Sequence, residues 1–415
     1  MMRHLVGEDI NKRPKDAKGR SLSLPSLDGA ERETVRRALE ERGFSEDDLS
    51  AGEIDFSHMS IDGIDCSKFI FPFRTMFNRT VFSGRADFTE TTFSEWIKFK
   101  GATFSELANF KGAAFIEGAI FNGATFSAGV NFHLSTFRKG AAFKSAFFKW
   151  GDFTQAEIFE VGNFEGATFS QEADFSGATF SKRADFNGAA FSSLANFNGS
   201  TFKDSLKFKA ASFETNPPTF YNAKISEAIS WTDARFPSTK GLSEDTADIH
   251  KDAYERLALM MDRLKKHHDQ HRFFRLEMKA RRAMERNPLL KFPNWLYQVM
   301  ADYGYGFGRA LTIWLANIGI GAALLFPYHD AALAAPSLTN IGTAIKLWGT
   351  AVVTSFSNAH GFLGLNRTTL KQTVAHYQQA DLLLPYNVTA TAQAVFGVIA
   401  LFFLILTARN RFRMG

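Results

Sequence analysis

The sequence contains one cysteine and none of the short motifs that mark the common enzyme classes. Cys66 cannot form an internal disulfide, and we expect it to serve as a small buried hydrophobic residue rather than as a reactive thiol. A Walker loop, a dinucleotide fingerprint after a strand, a nucleophile elbow and Cys/His metal spacing are all missing from the sequence. We therefore expect a protein that is not an enzyme and needs no cofactor.

Metal and nucleic-acid sites are equally poorly supported. His267 and His271 are one helical turn apart, with His268 between them, but no carboxylate or cysteine motif accompanies the cluster. We predict a solvated helix end there rather than a metal site. Residues 56–236 carry 18 basic and 18 acidic side chains, and no basic patch interleaved with aromatic residues supports nucleic-acid binding.

Residues 1–25 are polar and lack the apolar segment of a signal peptide. That absence predicts that the domain after them stays on the cytosolic side. The excess of positive charge lies in residues 237–415, which contain 20 basic and 12 acidic side chains.

Phenylalanine is abundant, with 45 residues, and from Phe77 to Phe213 it recurs at steps of five and six. The strictest alternation is formed by Phe88, Phe93, Phe99, Phe104, Phe110, Phe115, Phe121, Phe126, Phe132, Phe137 and Phe143. A fixed short period indicates a repeat architecture, and it matches neither helical nor strand patterning. We predict a solenoid in which each short segment sends one large apolar side chain inward and then turns a corner.

The period extends beyond the phenylalanines. Upstream it continues through Phe56, Ile61, Cys66 and Phe71, and after Pro217 and Pro218 it resumes at Phe220, Ile225, Trp231 and Phe236. Counting from Phe56 to Phe236 gives 34 inward centres, with one slip at Phe143, Phe148, Phe153 and Phe159. Alanine usually lies two residues before a centre, as at Ala102 and Ala108, where we expect a small side chain to pack inward.

These residues resemble the Phe-centred branch of the pentapeptide-repeat family, over residues 56–236. The resemblance implies a right-handed, four-sided β-helix with four centres per coil. On that basis the mainly β solenoid would have about 8.5 coils and be about 40 Å long, at roughly 4.8 Å between stacked strands. Some members of the family mimic DNA, but the balanced charge of this solenoid lacks the acidic surface that such mimicry needs.

Helices are expected on both sides of the solenoid. Residues 28–43 read as a short helix that caps the first coil. Residues 246–286 read as a helical hairpin, with a break near His268 and Asp269, that links the solenoid to the rest of the chain. Pro288 and Pro293 are expected to end its second helix.

Two segments are predicted to cross a membrane, residues 307–326 and residues 388–407. Basic residues precede the first span, from Arg281 to Arg309, and follow the second, from Arg409 to Arg413. The positive-inside rule therefore places both termini and the solenoid in the cytoplasm, in what we take to be the bacterial cytoplasmic membrane. The triplet Gly304-Tyr305-Gly306, just before the first span, is expected to be a flexible juxtamembrane turn.

The amphipathic residues 338–357 lie between the spans. They could lie as a helix on the outer surface, or form a re-entrant helix followed by a loop. The order of span, short helix, loop and span is similar to a two-transmembrane channel pore, although the Thr-Val-Gly-Tyr-Gly filter is missing from the loop. A pore would need a homo-oligomer, and its candidate lining is Thr354, Ser355, Ser357 and Asn358.

The sequence thus predicts four parts: a polar tail and capping helix (1–55), the repeat solenoid (56–236), a helical hairpin (237–295) and a two-span membrane domain (296–415). The leading functional hypothesis is a scaffold anchored in membrane lipid that binds an unidentified protein through the solenoid. The alternative is an oligomeric, ion-channel-like pore.

Overall fold

The structure is a computed structural model that describes residues 53–332, 351–356, 358 and 383–412. The predicted capping helix at 28–43 lies outside these residues. The chain divides into two compact units, Met1–Glu277 and Met278–Gly415.

The first unit contains a β-solenoid of about eight turns, built from short parallel strands in four sheets. The first sheet consists of Glu53–Asp55, Arg74–Met76, Ile97–Lys98, Ala119–Ile120, Ala141–Ala142, Gly162–Asn163, Ala184–Asp185, Leu206–Lys207 and Ile229–Ser230. The second consists of Ser60–Ile61, Val81–Phe82, Thr103–Phe104, Thr125–Phe126, Phe147–Phe148, Thr168–Phe169, Ala190–Phe191 and Ser212–Phe213. The third consists of Ile64–Asp65, Ala86–Asp87, Ala108–Asn109, Val130–Asn131, Gly151–Asp152, Ala173–Asp174 and Ala195–Asn196. The fourth consists of Ile70–Phe71, Thr92–Phe93, Ala114–Phe115, Thr136–Phe137, Glu157–Ile158, Thr179–Phe180, Thr201–Phe202 and Lys224–Ile225.

The predicted inward centres form the core of this solenoid. The rings of Phe77, Phe99 and Phe121 stack in one column, with centroids 5.0 and 4.9 Å apart. Ala102 and Ala108 are buried beside them, and Cys66 is buried as a small hydrophobic residue. Four repeats of five or six residues complete one coil, so phenylalanines 22 residues apart stack in successive coils. The prediction of an inward phenylalanine column is confirmed.

One predicted centre is wrong. Phe159 is 44% exposed, whereas its neighbour Ile158 is 1% exposed and points into the core. The reason is strand register, because Ile158 pairs with Phe137 in the preceding coil and with Phe180 in the next. A shift of one residue in a strand turns its side chain to the opposite face, so the register leaves Phe159 outside.

The corners of the coils need left-handed backbone. Gly112 and Leu134 occupy the same corner in successive coils, with φ values of 64° and 58°. Glycine adopts this conformation without strain, whereas a residue with a Cβ does so at some cost.

Two helices close the C-terminal end of the solenoid: α1 (Glu244–Arg263) and α2 (His267–Met284). The break between them lies at residues 264–266, a few residues before the predicted position. Phe273 packs edge-on against Trp231 and Phe236, with ring centroids 5.5 and 5.1 Å away. The predicted hairpin therefore does more than link two parts of the chain, since it also covers the apolar end of the last coil.

The second unit contains α3 (Pro288–Ala301), α4 (Phe307–Ala332) and α5 (Leu383–Phe412). Helix α2 ends at Met284, before Pro288 as predicted, but Pro288 begins a new helix, α3, after the N-cap residue Asn287, and Pro293 lies inside it. Proline is well suited to the first position of a helix, because its missing N–H has no partner there in any case.

Candidate functional site

The outer surface of the second sheet is an uncharged ladder that runs along the solenoid, here called the threonine face. Its members are Ser60, Val81, Thr103, Thr125, Phe147, Thr168, Ala190 and Ser212, each paired in register with the next. Val81 and Phe147 are exposed. Within the described part of the chain, the hydroxyls of Thr103, Thr125 and Thr168 make no side-chain hydrogen bond.

The outer surface of the third sheet is a ladder of aspartate and asparagine. In contrast to the threonine face, its side chains form hydrogen bonds within the solenoid. Asp152 Oδ1 accepts a hydrogen bond from the backbone N–H of Thr154 at 2.8 Å. Asp174 and Asn196 accept from the N–H groups two residues ahead in the same way, at 2.8 and 3.0 Å. These side chains hold the corners of the coils as Asx turns.

In the second unit, α4 and α5 contain the segments that are long and apolar enough to cross a membrane, Phe307–Leu324 and Val388–Asn410, with mean hydropathies of 1.3 and 2.2. Large apolar side chains such as Ile320, Val395 and Phe402 are exposed on them. An outward apolar surface is expected of helices that face lipid.

A polar cluster joins these helices to residues 351–356, which are helical. The Ser355 hydroxyl donates a hydrogen bond to the backbone carbonyl of Ile318 at 2.6 Å, and the Gln393 side-chain amide donates to the Ser355 hydroxyl. The same amide lies 3.2 Å from the carbonyl of Asn317. Gly321 makes room for the cluster, because a Cβ there would overlap Gln393 and lie 2.6 Å from the Ser355 hydroxyl.

The candidate pore residues are only partly described. Thr354, Ser355 and Asn358 are buried within the single chain, and Ser357 lies outside the described residues. Their role as a pore lining stays a prediction. Gln393 was missed at this site, although a polar residue in the middle of the second predicted span is a recognisable signal.

The turn before α4 is closed by hydrogen bonds. The backbone N–H groups of Tyr305 and Gly306 donate to the carbonyl of Ala301 at 3.0 and 2.8 Å. The Asn410 side chain, near the end of α5, donates to the carbonyl of Gly304 at 3.0 Å. The start of α4 and the end of α5 are therefore adjacent.

The histidine cluster lies in the first turns of α2. His268 is exposed, as predicted, whereas His271 is half-buried. Burial lowers the pKa of His271 from 6.5 to about 4, and the nearby His267 and Arg275 add to this effect. No group of three or more potential metal-ligating side chains occurs among the residues that the structure describes.

A four-sided coil with one large inward side chain every five or six residues defines a class, the β-solenoid repeat proteins. A family model described as "Pentapeptide repeats (9 copies)" matches residues 77–125, 95–136 and 164–212, all within the solenoid. The solenoid is therefore a pentapeptide-repeat domain. Neither a curated protein nor a solved structure matches the chain.

Proposed function

We propose that this protein is a membrane-anchored scaffold that holds a partner protein on the outer surface of its pentapeptide-repeat solenoid. The observation that carries the proposal is the combination, in one chain, of a long uncharged solenoid face with two apolar helices whose large side chains point outward. Repeat solenoids commonly use such extended regular surfaces for binding. The protein acts in this account by binding, without catalysis.

The threonine face is the surface we assign to the partner. Its exposed Phe147 supplies an apolar anchor, and the hydroxyls of Thr125 and Thr168 on the neighbouring strands can hydrogen-bond around it. Aromatic anchors surrounded by adaptable polar groups are typical of protein-binding surfaces. The ladder of aspartate and asparagine is less suited to this role, because its side-chain oxygens already hold the corners.

The proposed orientation places the solenoid and both termini in the cytoplasm. The bond from Asn410 to Gly304 supports it, because adjacent ends of α4 and α5 must lie on the same side of a membrane. The exposed Arg309 and Arg409 lie at those ends, and basic residues favour the cytoplasmic side.

Site-specific photo-crosslinking in intact cells tests the scaffold. A photoreactive residue at Thr125 should give one discrete cross-linked product, and the change Phe147→Glu in the same chain should abolish it. The matched control carries the photoreactive residue at Lys207, on the outer surface of the first sheet. If Thr125 and Lys207 give the same diffuse pattern, or if neither gives a product, the threonine face is not the binding surface.

The second candidate function is an oligomeric pore. The observation that favours it is the buried polar cluster of Ser355 and Gln393 between two apolar helices, since polar groups at membrane depth often mark an ion pathway. Ion flux through vesicles reconstituted with the protein, abolished by Ser357→Trp, would favour the pore over the scaffold. Vesicles that stay silent at high protein density would argue against the pore.

A further inference from the structure

Helix α3 presents apolar side chains outward. Leu289 is 80% exposed and Phe292 is 55% exposed, and Leu290, Trp295 and Val299 are exposed as well. Apart from Pro288 and Pro293, these are the exposed side chains of the helix. A surface helix in a soluble protein shows the reverse arrangement, with polar residues facing water.

The two amide side chains of α3, Asn294 and Gln298, point the other way, into the second unit. Asn294 donates a hydrogen bond to the carbonyl of Met278 at 3.2 Å and accepts one from the hydroxyl of Tyr303 at 3.0 Å. Gln298 accepts a hydrogen bond from the guanidinium of Arg282. Both amide side chains are thus paired within the protein, and the apolar face of the helix has no cover among the described residues.

The contacts of α3 with α5 show where α3 lies along the second predicted span. The rings of Tyr297 and Phe403 stack with centroids 5.7 Å apart, and Met300 and Ala301 form a small core with Ala400. Phe403 and Ala400 lie seven and ten residues before Asn410, in the C-terminal half of the apolar segment that ends there. Helix α3 therefore packs beside the C-terminal half of a predicted membrane-spanning segment.

We propose that α3 is an interfacial membrane helix, whose face of Leu289, Phe292, Trp295 and Val299 is buried in the headgroup and acyl boundary of the bilayer. This inference rests on the proposed membrane anchoring and adds a third lipid-binding element to it. Aromatic residues such as Trp295 favour that boundary, and the basic Lys291, Arg309 and Arg409 at the same end match anionic headgroups.

A second copy of the chain fits this face less well. A helix of 14 residues is about 21 Å long and about 10 Å wide, so one face offers on the order of 200 Å². A standard protein interface buries about 800 Å² on each partner. A bilayer that surrounds α5 would also cover this face of α3, and such contact with lipid does not require an interface of that size.

Fluorescence quenching in vesicles of phosphatidylcholine and phosphatidylglycerol tests the proposal on the full-length chain. An environment-sensitive dye is attached to a cysteine introduced by Phe292→Cys or, as a second position, by Val299→Cys, in a Cys66→Ala background. The controls are Val395→Cys, within the second span, and Glu106→Cys, on the exposed solenoid surface. Quenchers are placed near the headgroup, at the acyl-chain centre, or in water as iodide.

We expect the dye at positions 292 and 299 to be quenched about two-fold more by the headgroup-level quencher than by the deep one, because an interfacial helix lies about 5–10 Å into the boundary. The dye at 395 should favour the deep quencher, and the dye at 106 should respond only to iodide. If the dye at 395 is quenched by lipid but that at 292 and 299 only by iodide, the face lies in water and the proposal is wrong. If the dye at positions 292 and 299 is shielded from every quencher, protein covers the face, and the proposal is also wrong. Failure of the lipid quenchers at 395 would overturn the membrane anchoring itself, and this inference with it.

Discussion

The guanidinium of Arg272 in α2 donates a hydrogen bond of 3.1 Å to the backbone carbonyl of Trp231, in the last coil of the solenoid, and another to the carbonyl of Ala234. It also lies 5.0 Å above the ring of Phe236. Among the described residues, no further strand pairs with this end of the solenoid. One side chain thus satisfies backbone groups at an open edge and covers part of the apolar core.

Replacing that arginine should loosen the last coil. Arg272→Gln is expected to destabilise the solenoid by about 2–3 kcal/mol, because hydrogen bonds to charged groups contribute about 1.5–3 kcal/mol. Hydrogen exchange measured by mass spectrometry should rise mainly in residues 219–236, since solenoids open from their ends. The control Arg263→Gln changes an exposed arginine at the end of α1, and we expect no change. Equal exchange in both variants would contradict this role of Arg272.

The same substitution should have very different effects on stability at two adjacent positions. Ile158→Asp places an unpaired carboxylate in the core and should lower stability by several kcal/mol. Phe159→Asp changes an exposed side chain and should have little effect, within about 0.5 kcal/mol. Thermal unfolding followed by circular dichroism measures both. Greater damage from Phe159→Asp would contradict the strand register.

The solenoid could be predicted from sequence because its core is specified locally. Each centre lies five or six residues from the next, so the period is visible without knowledge of any long-range contact. The error at Phe159 arose where two apolar residues are adjacent, and only pairing with Phe137 and Phe180 selects Ile158. That information lies in the neighbouring coils.

The membrane unit could be predicted less completely. The two apolar segments are evident from composition, but Gln393 bonds to Ser355 across 38 residues of chain, and no local pattern pairs them. Pro288 and Pro293 predict the end of a helix, whereas Pro288 also begins α3 and Pro293 lies inside it. Whether its polar or its apolar side faces outward depends on partners such as Tyr303.

Two glycines in α4 offer a matched test of the helix packing. Gly321→Leu should disrupt the contact with Ser355 and Gln393 and destabilise the second unit by about 1–3 kcal/mol, the usual cost of overpacking. Gly319→Leu should be tolerated, because no described atom lies within 4 Å of a Cβ there. The detergent-solubilised variants are heated, and their stability is compared by the temperature at which each loses its monodisperse chromatographic peak. Equal loss from both variants would contradict the packing.

The stability of the end formed by α1 and α2 should depend on pH. The pKa of His271 falls from 6.5 to about 4 in the folded chain, and burial also lowers that of His250. The unfolded chain therefore binds more protons than the folded chain between pH 4 and 6.5, so stability is complete above pH 6.5 and is lost as pH falls towards 4.

Melting temperature measured across this pH range checks the effect. His271→Gln should reduce the slope, leaving the part due to His250, while His268→Gln, at a side chain that is 92% exposed, should leave it unchanged. A slope that is identical in all three proteins would show that His271 is not responsible.

The central claim is that a membrane anchor holds the solenoid in the cytoplasm. Labelling with a membrane-impermeant maleimide tests it most directly, using Ser50→Cys or Thr373→Cys in a Cys66→Ala background. We predict that the cysteine at 373 is labelled in intact cells, and that the cysteine at 50 is labelled only after the membrane is permeabilised. Labelling at position 50 but not at 373 in intact cells, or recovery of the chain in the soluble fraction, would contradict the account.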